Sequence, residues 1–277
     1  MLSYSGSSDY DHKKVTTLRL YEMKKTGRKI VCLTAYDALT AKIFDESGVD
    51  LILVGDSLGN IIQGHSTTLR VTIEDTIYHT KAVTKGAKRP LVIADMPFMS
   101  FQVSADEAFR NAGRIMKESG CAGVKLEGAS HPILKGISRM NEAGIPVMGH
   151  LGLTPQSINK FGSYRARGKD PQEAEQIYND ALALQEAGAF AIVLEKIPAE
   201  LGQKITEAIE IPTIGIGAGP HCDGQILVYS DMLGLTVEFS PRFVRRYAHL
   251  YDVIKEAVHV YTEDVRNHDF PSIDESY

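Results

Sequence analysis

One phrase recurs four times along this chain, and it constrains the fold more than any other feature. A helix-forming stretch ends in an acidic residue, a small residue and a glycine, and an apolar run follows at once. The copies are Asp45-Glu46-Ser47-Gly48 before residues 49–54, Lys117-Glu118-Ser119-Gly120 before 121–126, Asn141-Glu142-Ala143-Gly144 before 145–148, and Gln185-Glu186-Ala187-Gly188 before 189–194. Glycine just past a helix supplies a left-handed cap, and a short turn then feeds a strand. The runs are continuously apolar rather than alternating, which marks parallel strands covered on both faces. Such strands alternating with helices imply repeated βα units.

Eight strands are predicted, near 30–35, 50–55, 90–95, 122–127, 146–150, 189–195, 212–217 and 226–231. Helices are predicted at 37–47, 72–86, 104–119, 130–143, 171–187 and 199–209. This pattern predicts an α/β chain closed into a (β/α)8 TIM barrel, and 277 residues suit one such domain. An open doubly wound sheet is the alternative, weakened because no GxGxxG follows the first strand. Residues 1–277 are read as a single barrel domain. It carries a polar N-terminal extension over Met1 to His12. Its tail is helical and amphipathic from Phe243 to Val265, packed on the barrel or on a neighbouring subunit.

Composition narrows the function classes. The net charge of −5 provides no large basic surface, so neither nucleic acid nor an anionic membrane is an expected partner. No signal peptide and no apolar run of transmembrane length is visible, so a cytoplasmic enzyme is expected. Cys32, Cys121 and Cys222 form neither a CxxC pair nor an even framework and read as free thiols.

In a barrel of this kind the chemistry sits at the C-terminal ends of the strands. Asp56, Asp95, Glu127 and Glu195 fall at the ends of strands two, three, four and six. Any one of them reads as a helix cap or a structural ion pair. Together they converge on one small mouth, where like charges repel unless a cation joins them. Oxygen-only ligands favour Mg2+ or a similar hard ion, and Asp56, Asp95 and Glu127 are the candidates. Lys125 shares a strand face with Glu127, two residues on. It either balances charge, holds substrate or closes the interior as an ion pair; a Schiff-base role also stays open. His150 ends strand five as a substrate contact or a structural core residue. Glu195 is the carboxylate left free to act as general base. Lys196 points the other way. The turn Gly215-Ile216-Gly217-Ala218-Gly219 is either a phosphate cradle or a wall that allows close approach.

Several segments carry a family resemblance in register. They are Gly55-Asp56-Ser57-Leu58-Gly59, Gly64-His65-Ser66-Thr67-Thr68, Ala94-Asp95-Met96-Pro97-Phe98, Val124-Lys125-Leu126-Glu127-Gly128, Gly149-His150-Leu151-Gly152-Leu153-Thr154-Pro155-Gln156-Ser157, Ile214 to Gly219, and Asp223 to Val228. Over about residues 15–260 the chain resembles ketopantoate hydroxymethyltransferase. The resemblance implies a barrel of the phosphoenolpyruvate/pyruvate superfamily. It implies hydroxymethyl transfer from 5,10-methylenetetrahydrofolate to 3-methyl-2-oxobutanoate, through a metal-stabilised enolate, giving 2-dehydropantoate for pantothenate biosynthesis. It assigns Mg2+ or a similar cation to Asp56, Asp95 and Glu127, the last directly or through water. It assigns the 2-oxo acid to Asp56, Ser57, Asp95 and Lys125, with His150 nearby, and the base to Glu195. A homodecamer of two pentameric rings is also implied. The chain departs from similar enzymes at Pro220-His221-Cys222, where an Asn-type turn is common, and at Lys196, where a Cys is common. Three rivals are a metal-dependent C–C lyase, a Schiff-base aldolase and a non-catalytic barrel. The Lys-Lys-Cys-Gly-His segment usual in such lyases is missing.

Overall fold

In the computed structural model, the glycines that end the four phrases (Gly48, Gly120, Gly144 and Gly188) all have φ between 76° and 94°. They stop their helices as the sequence predicts. The structure describes residues 13–238 and 241–277. The predicted polar extension over 1–12 lies outside them.

The strands are β1 (Ile30–Thr34), β2 (Leu51–Val54), β3 (Leu91–Asp95), β4 (Gly123–Lys125), β5 (Val147–Gly152), β6 (Ala191–Glu195), β7 (Thr213–Ile216) and β8 (Gly224–Leu227). They form one closed barrel in sequence order, and the neighbouring strands run parallel. The helices are α1 (Thr17–Lys25), α2 (Ala38–Glu46), α3 (Leu58–Ile61), α4 (Ile73–Gly86), α5 (Ala105–Ser119), α6 (His131–Glu142), α7 (Ile158–Phe161), α8 (Pro171–Glu186), α9 (Ala199–Ala208), α10 (Tyr229–Met232) and α11 (Leu250–Arg266). Side-chain caps start the long ones. Thr72 and Asp75 form a reciprocal capping box on α4, Ser104 caps α5 and Asp170 caps α8.

The barrel interior is a single apolar cluster that includes Cys32, Leu51, Leu53, Leu91, Ile93, Met148, Ala191, Val193 and Ile214. Side chains alternate along a strand, so these residues set the inward parity. Two residues beyond Ile93 comes Asp95, beyond Met148 comes His150, and beyond Val193 comes Glu195. The polar site therefore caps the same inward columns that build the core. At the opposite end α1 contributes Leu20 and Met23 to the same cluster, and Val15 joins them from just before the helix. Lys24 Nζ donates to Asp223 Oδ2 at 2.8 Å and ties α1 to the start of β8. Arg89 pairs with buried Asp50 at 2.8 Å at the start of β3. Cys32, Cys121 and Cys222 are free and buried.

Two boundaries differ from the sequence reading. The eighth strand is Gly224–Leu227 rather than 226–231. Gly224 pairs with Ile214, and a Cβ there would stand 2.6 Å from the Ile30 carbonyl oxygen, so this seat admits only glycine. From Tyr229 the chain is already helical. The C-terminal helix begins at Leu250 rather than Phe243. The N–H groups of Tyr247 and Leu250 donate to Met232 and Leu233 instead of to carbonyls one turn back. Met1–Ile226 and Leu227–Tyr277 form separate compact units.

Candidate active site

The mouth of the barrel gathers Asp56, Asp95, Lys125, Glu127, His150 and Glu195 from the strand ends. Asp56, Asp95, Lys125, Glu127 and His150 are all at most 5% exposed. Lys125 Nζ lies 2.8 Å from Asp95 Oδ1 and 3.8 Å from Glu127 Oε1. The shared face predicted for Lys125 and Glu127 is therefore present. The His150 ring lies between two acids, with Nδ1 3.4 Å from Glu127 Oε1 and Nε2 3.4 Å from Glu195 Oε2. The Glu195 side chain is 16% exposed, the most open of this set, and faces the solvent end of the mouth.

Local donors orient the carboxylates. The backbone N–H of Asp56 donates to Asp95 Oδ2 at 3.1 Å. Gln156, in a 3-10 turn over Pro155–Ser157, donates its backbone N–H to Glu127 Oε2 at 3.0 Å and its side-chain amide to Asp56 Oδ2 at 3.2 Å. One oxygen of each acid is thus tied. The second oxygens of two of them, Asp95 Oδ1 and Glu127 Oε1, are buried without a hydrogen-bond partner. The Lys125 ammonium near Asp95 Oδ1 offers charge without hydrogen-bond alignment. Ser57 sits beside this group, its hydroxyl 2.7 Å from that of buried Tyr36.

The electrostatics follow from burial and crowding. Burial, then the charges of Asp95 and Glu127, push the Asp56 carboxyl up to about 8. Burial also raises Asp95, against the pull of Lys125. Burial and the Lys125 charge would lower the His150 pKa, but bonds to Glu127 and Glu195 outweigh them and hold it at about 9. Lys125 Nζ also lies 3.3 Å from His150 Nδ1, a contact that would need a neutral imidazole. With the ammonium engaged by Asp95, the imidazolium ion-paired with two glutamates is the form the charges favour. The three neighbouring carboxylates similarly outweigh desolvation at Lys125 and hold it protonated.

Four carboxylates therefore face two bases in a largely buried pocket. With all four ionised, two negative charges stay uncompensated, and Asp95 Oδ1 and Glu127 Oε1 have ion-pair contacts to Lys125 and His150 but no aligned hydrogen bond. A divalent cation with hard-oxygen preference fits that donor set. Among the described residues no three His, Cys, Asp or Glu side chains already close on one point as a metal site. The Lys125 ammonium lies where Asp95 and Glu127 approach each other.

Other predicted features resolve differently. Glu195 ends β6, and Lys196 follows at φ 47°, its ammonium donating to the Tyr164 carbonyl at 2.9 Å. It turns away from the mouth, as expected. The Gly-rich turn packs against the barrel's own helix. A Cβ on Gly219 would meet that of Ala199 at 2.5 Å, so close approach to α9 accounts for it. Gln156 and Tyr36 received no role from the sequence. Both are buried polar groups whose partners lie far away in the chain, and only a Pro-started turn after β5 hinted at Gln156.

Comparison with known proteins identifies the family and the fold. A family model described as ketopantoate hydroxymethyltransferase matches residues 14–273. The 3-methyl-2-oxobutanoate hydroxymethyltransferase of Chlorobium phaeobacteroides (strain BS1) is 58% identical, covering 95% of this chain and 96% of that protein. Among solved structures, phosphonopyruvate hydrolase complexed with oxalate and Mg2+ matches with a TM-score of 0.61 at 12% identity, over 94% of this chain and 93% of that one. The 2,3-dimethylmalate lyase, a PEP mutase/isocitrate lyase superfamily member, matches with a TM-score of 0.59 at 15% identity, over 94% and 90%. These distant structures share the (β/α)8 barrel fold, and the sequence-level matches go further: the chain is an enzyme belonging to the ketopantoate hydroxymethyltransferase family.

Proposed function

We propose that this enzyme transfers a hydroxymethyl group from 5,10-methylenetetrahydrofolate to 3-methyl-2-oxobutanoate, forming 2-dehydropantoate, the first committed step of pantothenate biosynthesis. The name of the 58% identical relative supports the acceptor. The observation that carries the chemistry is the row from partly exposed Glu195 through buried His150 to buried Glu127, with Lys125 and Asp95 alongside.

Asp56, Asp95 and Glu127 would hold a divalent cation such as Mg2+. When bound, it supplies Lewis-acid polarisation of the 2-oxo group. Glu195, at the open end of the row, takes the proton from C3 of the 2-oxo acid. His150 keeps that carboxylate in place from the side facing away from solvent. Lys125 sets a fixed positive charge against the negative charge developing on the substrate oxygen. Ser57, held by Tyr36, and the Lys125 ammonium bind the substrate carboxylate end. The C3 carbon then bonds to the one-carbon unit, both bonds of that carbon to folate nitrogens break, one water supplies its hydroxyl, and tetrahydrofolate leaves with the C3 proton and the remaining water proton on its two nitrogens.

The same reading makes the protein a cytoplasmic homodecamer built from pentamers. Its support is the family resemblance, and sedimentation of the purified protein tests the assembly. No helix among the described residues is long and apolar enough to cross a membrane.

The deciding experiment is tetrahydrofolate release from 3-methyl-2-oxobutanoate and methylenetetrahydrofolate, with and without EDTA. Turnover that requires both substrates and stops on metal removal is expected. Undiminished turnover after full metal removal overturns the metal assignment, and no turnover with both substrates and added metal overturns the reaction.

A further inference from the structure

The amide of Gln156 has a fixed orientation, and its chemistry follows from that. Its Nε2 donates to the Met96 carbonyl at 2.9 Å. A backbone carbonyl only accepts, so the amide nitrogen must face it. The second N–H then points at Asp56 Oδ2, 3.2 Å away. Flipping the amide would set its oxygen against both the Met96 carbonyl and the Asp56 carboxylate. The outer face of the amide is matched as well, since Gln102 Nε2 donates to Gln156 Oε1 at 3.2 Å. The backbone N–H of the same residue holds Glu127. A single buried residue thus reaches two acids that stand 71 positions apart in the chain, and it orients each through one oxygen.

We infer that Gln156 is a positioning residue for the cation site. It pins Asp56 Oδ2 so that the other oxygen of that carboxylate faces the cation, and its backbone does the same for Glu127. The Gln102 contact is secondary, because the Met96 carbonyl alone dictates the amide's direction. This inference rests on the proposal that Asp56, Asp95 and Glu127 hold a divalent cation.

The test is Mn2+ binding to the full-length protein, followed by the loss of the free-ion paramagnetic signal, with circular dichroism and thermal melts as folding controls. Wild type should bind Mn2+, Gln156→Leu should bind at least tenfold more weakly, and Gln102→Leu should stay within about twofold of wild type. In turnover, Gln156→Leu should raise the Mn2+ activation constant while kcat at saturating Mn2+ changes by less than about threefold. If Gln156→Leu does not fold, Gln156→Asn replaces it. Its amide is one methylene too short to reach Met96 and Asp56 together, and a loss of at least threefold is expected. Unchanged Mn2+ affinity in the folded Gln156 variant, or an equal loss in Gln102→Leu, overturns the inference. So does a collapse of kcat at saturating Mn2+ with affinity intact. Absence of Mn2+ binding by wild type is a separate result and overturns the cation site itself.

Discussion

His150 Nε2 lies 3.4 Å from Glu195 Oε2, with the opposite ring nitrogen equally close to Glu127. The most exposed acid of the mouth is thus backed by an imidazolium rather than by another carboxylate. Glu195→Gln preserves shape and removes the base. Exchange of the C3 proton of 3-methyl-2-oxobutanoate into D2O, measured by proton NMR without folate, is expected to slow by about 100-fold or more. Near-normal exchange would remove Glu195 from that role.

The same ring gives the metal-free protein a pH dependence. The folded-state pKa of His150 is raised to about 9, so the proton it holds stabilises the fold fully below pH 6.5. That contribution is lost as pH rises through about 9, with stability falling by at most about 1.4 kcal/mol for each pH unit crossed. Urea unfolding in EDTA should show stability falling over this window, and His150→Gln should flatten the fall.

Asp56 acts in the same direction for a different reason. Its folded pKa is pushed up to about 8 by burial and by its acidic neighbours. Between pH 3.8 and about 8 the folded chain keeps a proton that the unfolded chain has released, so stability drops as pH rises through that range. Asp56→Asn is expected to raise the melting temperature of the metal-free protein by a few degrees at about pH 8 while abolishing turnover. Added Mg2+ should stabilise wild type and not the variant, which differential scanning fluorimetry would show.

How much of this mouth could be read in advance depends on the scale of the signal. The barrel followed from local chemistry: capping glycines, apolar runs and their spacing. The charged set followed from position, since Asp56, Asp95, Glu127, His150 and Glu195 fall at strand ends, and the structure adds that Asp95, His150 and Glu195 each lie two residues beyond an inward apolar residue. Gln156 could not be reached this way. It lies in a turn with no periodicity, and its partners Asp56, Met96 and Gln102 come from other βα units. The eighth strand was misplaced because Ile226-Leu227-Val228 is the most apolar stretch there, whereas register is set by the bare backbone at Gly224. The last helix starts late because residues before it, and Leu250 itself, spend their N–H groups on the end of α10.

Lys125 is held protonated by Asp95, Glu127 and Asp56, a poor state for a Schiff-base nucleophile. Borohydride added with the 2-oxo acid should leave no adduct on Lys125, as intact mass would show. Lys125→Met leaves Asp95 buried without its ion-pair partner. A stability loss of about 3–5 kcal/mol is expected in chemical denaturation, along with loss of turnover.

Gly152 tests the backbone beneath the base. It sits at φ 90°, and a Cβ there would stand 2.2 Å from the Glu195 carbonyl oxygen. Gly152→Ala should cost about 1–3 kcal/mol and slow proton exchange at least tenfold, although no polar group is altered. Thermal melts and the NMR exchange assay measure the two effects, and wild-type exchange rates would show that the β5–β6 contact does not set the position of Glu195.

The charges of the mouth enter the barrel in chain order. Asp56 and Asp95 come with β2 and β3, ahead of either base, and Lys125 and His150 follow on β4 and β5. A nascent chain that has emerged only through β3 holds two crowded acids and no counter-charge, and burying them would be costly. The two acids that open the mouth thus gain their counter-charges only when the next two strands of the barrel are in place.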